Sequence, residues 1–267
     1  MADGRRAAVL GSPVAHSLSP ALHAAAYAAL GLTGWTYERI ECREEQLAGL
    51  VDGLGPEWVG LSLTMPLKRI ALEVADEVTP LAAAVGAANT LLLDGRRRAD
   101  NTDVAGLAGA LREAGVERAG SAVVLGAGGT AHAALAALRD LGVERPTVLV
   151  REPARAGELR AAAERLGVRP VVRGGLLDGP LPAADVVVST LPAGAADPLA
   201  RLPWIGRPVV LDAVYAGWPT PLARSAAAAG CTVVSGTAML LHQAVEQVRL
   251  MTGQEPPLDA LRAALRS

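Results

Sequence analysis

Lysine occurs once in the 267 residues, at Lys68 in the run Thr64-Met65-Pro66-Leu67-Lys68, and arginine supplies the other fixed cations among the 25 Lys and Arg residues. A guanidinium keeps its proton at any working pH, whereas an ammonium taken out of water can have its pKa lowered into the range where it gives a proton up. Lys68 is therefore a candidate acid or base. The rival reading is an exposed lysine left over in an arginine-rich composition, and its neighbours must decide.

Two further stretches have residue types suited to binding. In Val123-Val124-Leu125-Gly126-Ala127-Gly128-Gly129-Thr130-Ala131 an apolar run enters glycines and then the helical pattern 133–141. Glycine lets the backbone turn tightly and approach a pyrophosphate, and the N–H groups and dipole of the new helix stabilise its charge. Alanine fills the third glycine place, and a merely structural turn is the alternative. The next strand ends at Val150, where NAD-binding folds place an acid for the ribose 2′-hydroxyl; here Arg151 and Arg155 follow, which suits the 2′-phosphate of NADP. Glu152 in the same loop keeps NAD open. In Gly11-Ser12-Pro13-Val14-Ala15-His16-Ser17-Leu18-Ser19-Pro20, Ser19 reads as an N-cap with proline at the first helical position. Ser17, Ser19 and the helix N–H groups could together hold a small carboxylate.

The elements that position these groups follow from periodicity. Short apolar runs at 7–10, 36–40, 59–63, 122–125, 147–150, 186–189, 209–211 and 232–234 alternate with helical patterns, the signature of βαβ units and parallel sheets. The class is α/β, with two domains expected. Residues 1–103 plus 239–267 form one, the helices 239–252 and 258–265 returning to it; residues 104–238, entered through the helical stretch 106–114, form a doubly wound, Rossmann-type dinucleotide domain. Asp94-Gly95 before Arg96-Arg97-Arg98 reads as a hairpin turn with a solvated basic strand end, and 174–182 as a turn-rich connector.

Composition excludes several classes. A net charge of -2 with no basic stripe argues against nucleic-acid partners. No apolar run reaches the roughly 18 residues of a membrane span. Cys42 and Cys231 fit no metal or redox spacing, the start Met-Ala-Asp-Gly-Arg-Arg has no secretion-signal pattern, and a reducing cytoplasm is the expected home. His16, His23, His132 and His242 form no ligand pair on a common helix face, so no metal is expected.

Taken together, the chain resembles the shikimate dehydrogenase family along nearly its whole length. The matching blocks are Gly11-Ser12-Pro13 with His16-Ser17-Leu18-Ser19-Pro20, Leu63 through Lys68, Gly86-Ala87-Ala88-Asn89-Thr90, Asp100-Asn101-Thr102-Asp103, the Gly126 loop, Asp212-Ala213-Val214-Tyr215, and Gly236 through Gln243. The resemblance implies NADPH-dependent reduction of 3-dehydroshikimate, with Lys68 and Asp103 as the catalytic pair; the sequence itself leaves monomer and homodimer both open. It implies that Ser17 and Ser19 hold the substrate carboxylate, that Thr64, Asn89, Asp103 and Gln243 contact the ring hydroxyls, and that Tyr215 lies close to both carboxylate and nicotinamide. Gly126, Ala127, Gly128, Gly129, Thr130, Ala131, Arg151, Arg155, Thr190, Val214, Gly236 and Met239 are the implied coenzyme contacts. Each has a bland alternative: Asn89 and Asn101 as turn stabilisers, Thr64 as a strand-end cap, Gln243 as a helix-surface residue. Ser62, Ala24 and Val150 depart from the asparagines usual in the family, which bears on preference for shikimate over quinate or an amino analogue. A quinate or aminoshikimate dehydrogenase using NAD, and a non-catalytic NADP-binding module, are the competing readings.

Overall fold

Long apolar strands set the architecture. Arg5–Gly11 (β1) is buried from Ala7 to Gly11, as a strand covered on both faces requires. The computed structural model describes residues 4–175 and 179–266; residues 176–178 of the expected connector, the first three residues and the last lie outside the described set. After β1 come Ser19–Ala29 (α1), Trp35–Glu41 (β2), Glu44–Asp52 (α2), Trp58–Leu63 (β3), Ala71–Val74 (α3), Glu77–Val78 (β4), Pro80–Val85 (α4), Thr90–Leu93 (β5), Arg97–Asp100 (β6) and Asp103–Glu113 (α5). Then follow Ala122–Leu125 (β7), Gly129–Asp140 (α6), Thr147–Leu149 (β8), Gly157–Leu166 (α7), Val171–Arg173 (β9), Val186–Ser189 (β10), Val209–Asp212 (β11), Pro221–Ala228 (α8), Thr232–Ser235 (β12), Gly236–Thr252 (α9) and Leu258–Ala264 (α10).

Contacts divide the chain into two units, one running to Asp103 and resuming at Leu240, the other Val104–Met239. The first holds a six-stranded sheet in the order β2-β1-β3-β5-β6-β4. This sheet is mixed, as the hairpin expected at Asp94-Gly95 requires: β5 runs antiparallel to both β3 and β6. The physical reason is the Asp94-Gly95 turn, with Gly95 at φ +99, which folds β5 directly back on β6 and leaves no room for a crossover helix. Leu22 and Ala26 of α1 pack with Leu241, Ala244 and Val248 of α9 and Leu261 of α10 into a satellite core of this unit. Local chemistry fixes its short α4, whose cap Thr79 accepts from the Ala82 N–H at 3.2 Å, with Pro80 in the first turn and Gly86 left-handed at the end.

The second unit is parallel throughout, in the order β12-β11-β10-β7-β8-β9. Strand order reverses between β7 and β10, so the carboxyl ends of these two strands form the switch point at which ligands bind in such sheets. α6 leaves β7 there and buries every residue from Ala131 to Leu138, its alanines allowing close approach on all sides. Among the described residues no helix is long and apolar enough to cross a membrane.

Candidate active site

A glycine and two backbone hydrogen bonds bring the lysine-bearing loop into place. A Cβ on Gly11, at the end of β1, would stand 2.3 Å from Thr64 Cγ2 and 2.9 Å from the Met65 carbonyl, so only glycine lets the loop after β3 lie this close. Backbone bonds Thr64 N–H to Leu10 O (2.9 Å) and Ser12 N–H to Met65 O (3.0 Å) stitch the two loops together. Leu67 is fully buried beneath them, and Ala88 N–H donates to Lys68 O at 2.7 Å.

The Lys68 Nζ donates to Asp103 Oδ2 at 2.6 Å, with side chains 22% and 6% exposed. Lys68 is thus paired and partly buried, not a freely exposed lysine. Asp103 is the first residue of α5, where the helix dipole favours a carboxylate. Its other oxygen, Oδ1, accepts from Asn89 Nδ2 at 2.9 Å. The Asn89 Oδ1 accepts the Thr102 N–H at 2.7 Å, so both ends of this amide face partners of fixed polarity and its orientation is unambiguous. Asn89 Nδ2 also reaches Gln243 Oε1 (3.2 Å), whose own amide donates to Leu240 O. Gln243 is buried rather than on the helix surface, and Asn89 does far more than close a turn. Asn101, by contrast, donates to Ala87 O at 2.8 Å and fits the turn-stabilising reading. Thr64 touches Gly11 through its methyl but makes no side-chain bond to this cluster.

The N-cap expectation for Ser19 is corrected. Leu18 already has helical angles and occupies the cap position, and it carries no side-chain oxygen to accept a bond. Instead Ser17 Oγ accepts from the Ser19 N–H (3.3 Å), and Ser19 itself is buried as the first residue of α1. The loop is held from β2: Arg39 donates twice to Ser17 O (3.0 and 2.7 Å), and Glu41 accepts from Val14 N–H.

In the second unit the glycine loop sits at the switch point. Gly126 has φ +105, and a Cβ there would lie 2.7 Å from Thr190 Oγ1, the residue following β10. Thr190 bonds Leu125 O through its backbone N–H and its hydroxyl. Gly126, Ala127 and Gly128 line a pocket of about 400 Å³ together with Val150, Arg151, Glu152, Arg155 and Thr190. Glycines at a helix start facing two guanidiniums fit a dinucleotide with an extra phosphate. Gly129, Thr130 and Ala131 form the first turn of α6, the Ala131 methyl buried where the motif has its third glycine. Arg155 and Glu152 approach only to 3.9 Å, both exposed, a contact too weak to tie the arginine down.

Asp212 opens one of the matching sequence blocks, where the resemblance gives it no role, and it organises the loop that follows it. It is buried at the end of β11 and accepts from Val214 N–H (3.3 Å) and Thr220 Oγ1 (2.8 Å), shaping the 213–215 loop; burial raises its carboxyl pKa. Burial likewise raises the Tyr215 phenol. Gly236 lies against the backbone of Ala213, and Met239 is buried in the first turn of α9.

His23, on α1, is fully buried with its ring stacked on Tyr37 (centroids 3.9 Å apart), and burial holds its pKa down to about 3. Between about 3 and the ordinary 6.5 the unfolded chain binds one more proton than the native state, so stability rises with pH through this window and is lost on acidification. The expected slope is roughly 1.4 kcal/mol per pH unit from this residue. His23→Phe should flatten the dependence of thermal midpoint on pH between 6 and 4.5, and an unchanged slope would refute the assignment.

The chain matches family models described as the shikimate dehydrogenase substrate binding domain over residues 9–91 and the shikimate 5′-dehydrogenase C-terminal domain over residues 236–266. It is 38% identical to a shikimate dehydrogenase (NADP(+)) of Methanothermobacter thermautotrophicus over 97% of this chain and 94% of the relative. Among solved structures, shikimate dehydrogenase of Mycobacterium tuberculosis superposes with TM-score 0.86 at 49% identity, covering 98% and 99% of the two chains. The shikimate 5-dehydrogenase of Thermus thermophilus in complex with NADP(H) and shikimate gives TM-score 0.86 at 38% identity over 98% of each.

Proposed function

Because the chain belongs to the shikimate dehydrogenase family, we propose that it catalyses the reversible, NADPH-dependent reduction of 3-dehydroshikimate to shikimate in aromatic amino acid (chorismate) biosynthesis. The observation that carries this reading is the Lys68–Asp103 pair at 2.6 Å with Asn89 and Gln243 hydrogen-bonded around it. The unit containing it is the substrate and catalytic domain, and the parallel-sheet unit is the NADP domain. We place the protein in the cytoplasm as a monomer or homodimer acting on small molecules.

NADPH supplies the hydride when bound, and Gly126 to Ala131, Thr190, Val214, Gly236, Met239 and the two loop arginines would hold it. The chain must then orient the ring and manage one proton. Ser17 and Ser19, on a loop pinned by Arg39 and Glu41, hold the substrate carboxylate, with Tyr215 beside it. Thr64, Asn89, Asp103 and Gln243 take the ring hydroxyls. Lys68 donates an ammonium proton to the C3 oxygen as the carbonyl becomes an alcohol, and the resulting neutral amine is reprotonated from solvent. Asp103 keeps the ammonium aimed and stabilises its charge. In the oxidative direction the neutral amine takes the C3 hydroxyl proton.

The test is steady-state kinetics with shikimate, quinate and aminoshikimate, each with NADP and NAD. Shikimate with NADP should have the highest kcat/KM; a preference for quinate or for NAD would overturn the assignment. Within that panel, Arg151→Ala and Arg155→Ala should each lower kcat/KM for NADP by about tenfold, the low end for charge-assisted bonds at an exposed site, and leave NAD nearly unaffected. Equal losses with both coenzymes would remove the 2′-phosphate role.

A further inference from the structure

A buried hydrogen-bond chain runs behind the catalytic pair. Gln247, on α9 and 1% exposed, donates from Nε2 to Asn89 O at 3.0 Å and to Thr90 Oγ1 at 2.9 Å. A backbone carbonyl can only accept, so the amide nitrogen of Gln247 is identified without ambiguity and its Oε1 faces Ser62. Ser62 Oγ donates to that Oε1 at 2.8 Å, which commits the serine proton, so the hydroxyl of Tyr37 donates to Ser62 at 2.6 Å. Thr90 receives the Gln247 N–H on its oxygen, and its single proton turns onto Asn89 Oδ1 at 3.0 Å. Asn89 then presents its NH2 to Asp103 Oδ1.

We propose that Gln247 is a positioning residue for the reaction, acting through the Thr90 hydroxyl on the Asn89 amide and so on the geometry of Asp103 and Lys68, with Ser62 and Tyr37 holding Gln247 in register. This rests on the reading of Lys68 and Asp103 as the reacting pair. Without the Gln247 N–H, the Thr90 hydroxyl is free to rotate toward Thr102 Oγ1, 3.5 Å away, and Asn89 Oδ1 loses one of its donors. The Thr102 N–H still holds Asn89, so the amide loosens rather than flips. Misplacement of this kind costs turnover more than coenzyme binding.

The experiment is a double-mutant cycle on the full-length protein, with Gln247→Met and Thr90→Val singly and together, following shikimate oxidation. Each single change should lower kcat about tenfold with KM for NADP within twofold of the unaltered protein, and the double variant should be no slower than the slower single one. A kcat within twofold of normal for Gln247→Met, or losses that multiply in the double variant, overturns the proposal, since independent structural damage multiplies whereas a relay through Thr90 does not. If Gln247→Met does not fold, Ser62→Ala takes its place. A three- to tenfold fall in kcat at unchanged KM for NADP supports the relay, and normal turnover overturns it. Lys68→Ala run alongside separates the two readings. Near-normal turnover there removes the catalytic pair itself, while a slow Lys68→Ala with a normal Gln247→Met removes only the relay.

Discussion

Lys68→Ala is expected to lower kcat by about 10²- to 10⁴-fold, the usual worth of a positioned general acid or base, with a smaller change in substrate KM. Lys68→Arg is the more informative variant. It keeps the cation beside Asp103 but offers a group that does not release its proton, so it should be nearly as slow if proton transfer is the function and much faster if charge alone suffices. Removing the ammonium also leaves Asp103, 6% exposed, without its cationic partner, and breaking a buried pair destabilises more than the pair contributes. Turnover must therefore be normalised to folded protein, by circular dichroism or the fluorescence of the four tryptophans. Near-normal turnover of either folded variant would refute the assignment.

How much of this was legible in the chain depends on the range of the interaction. The glycine loop was readable because strand, glycines and helix are contiguous, and the left-handed Gly126 is a local requirement. Lys68 stood out by composition, yet nothing local to it names Asp103, 35 residues on; the resemblance to a family supplied that partner. Ser19 shows the opposite failure. Serine before proline is a strong capping signal, but the helix takes Leu18 as its cap and the burial of Ser19 overrides propensity. The strands β4 and β9, of two and three residues, are too short to show a period. Gln247 was invisible because its partners Ser62, Asn89 and Thr90 lie more than 150 residues away, and one more glutamine in a helix has no sequence signature. Local geometry and periodic burial leave a trace in the residues; long-range polar satisfaction does not.

Two glycines should fail in opposite ways. A Cβ on Gly236 would lie 2.2 Å from Ala213 O and 2.6 Å from Ala213 C, backbone atoms that no rotamer change can move. Gly236→Ala must push apart the start of α9 and the loop after β11, the loop that carries Val214 and Tyr215. Overpacking of this kind costs about 1–3 kcal/mol or more, which for a chain of this size lowers the thermal midpoint by roughly 2–12 °C. Coenzyme binding should weaken with it, because the displaced residues are proposed contacts. A Cβ on Gly128 meets nothing within 4 Å, and its φ of -83 suits any residue, so Gly128→Ala should leave the midpoint of the ligand-free protein unchanged. If the loop holds the coenzyme as proposed, that methyl would crowd a pyrophosphate approaching the backbone, and KM for NADP should rise about tenfold or more with kcat for bound complex largely retained. Calorimetry of both variants with and without NADP separates them. A destabilised Gly128→Ala, or a Gly236→Ala of normal stability, would show that the close approaches described for these loops do not govern the working protein.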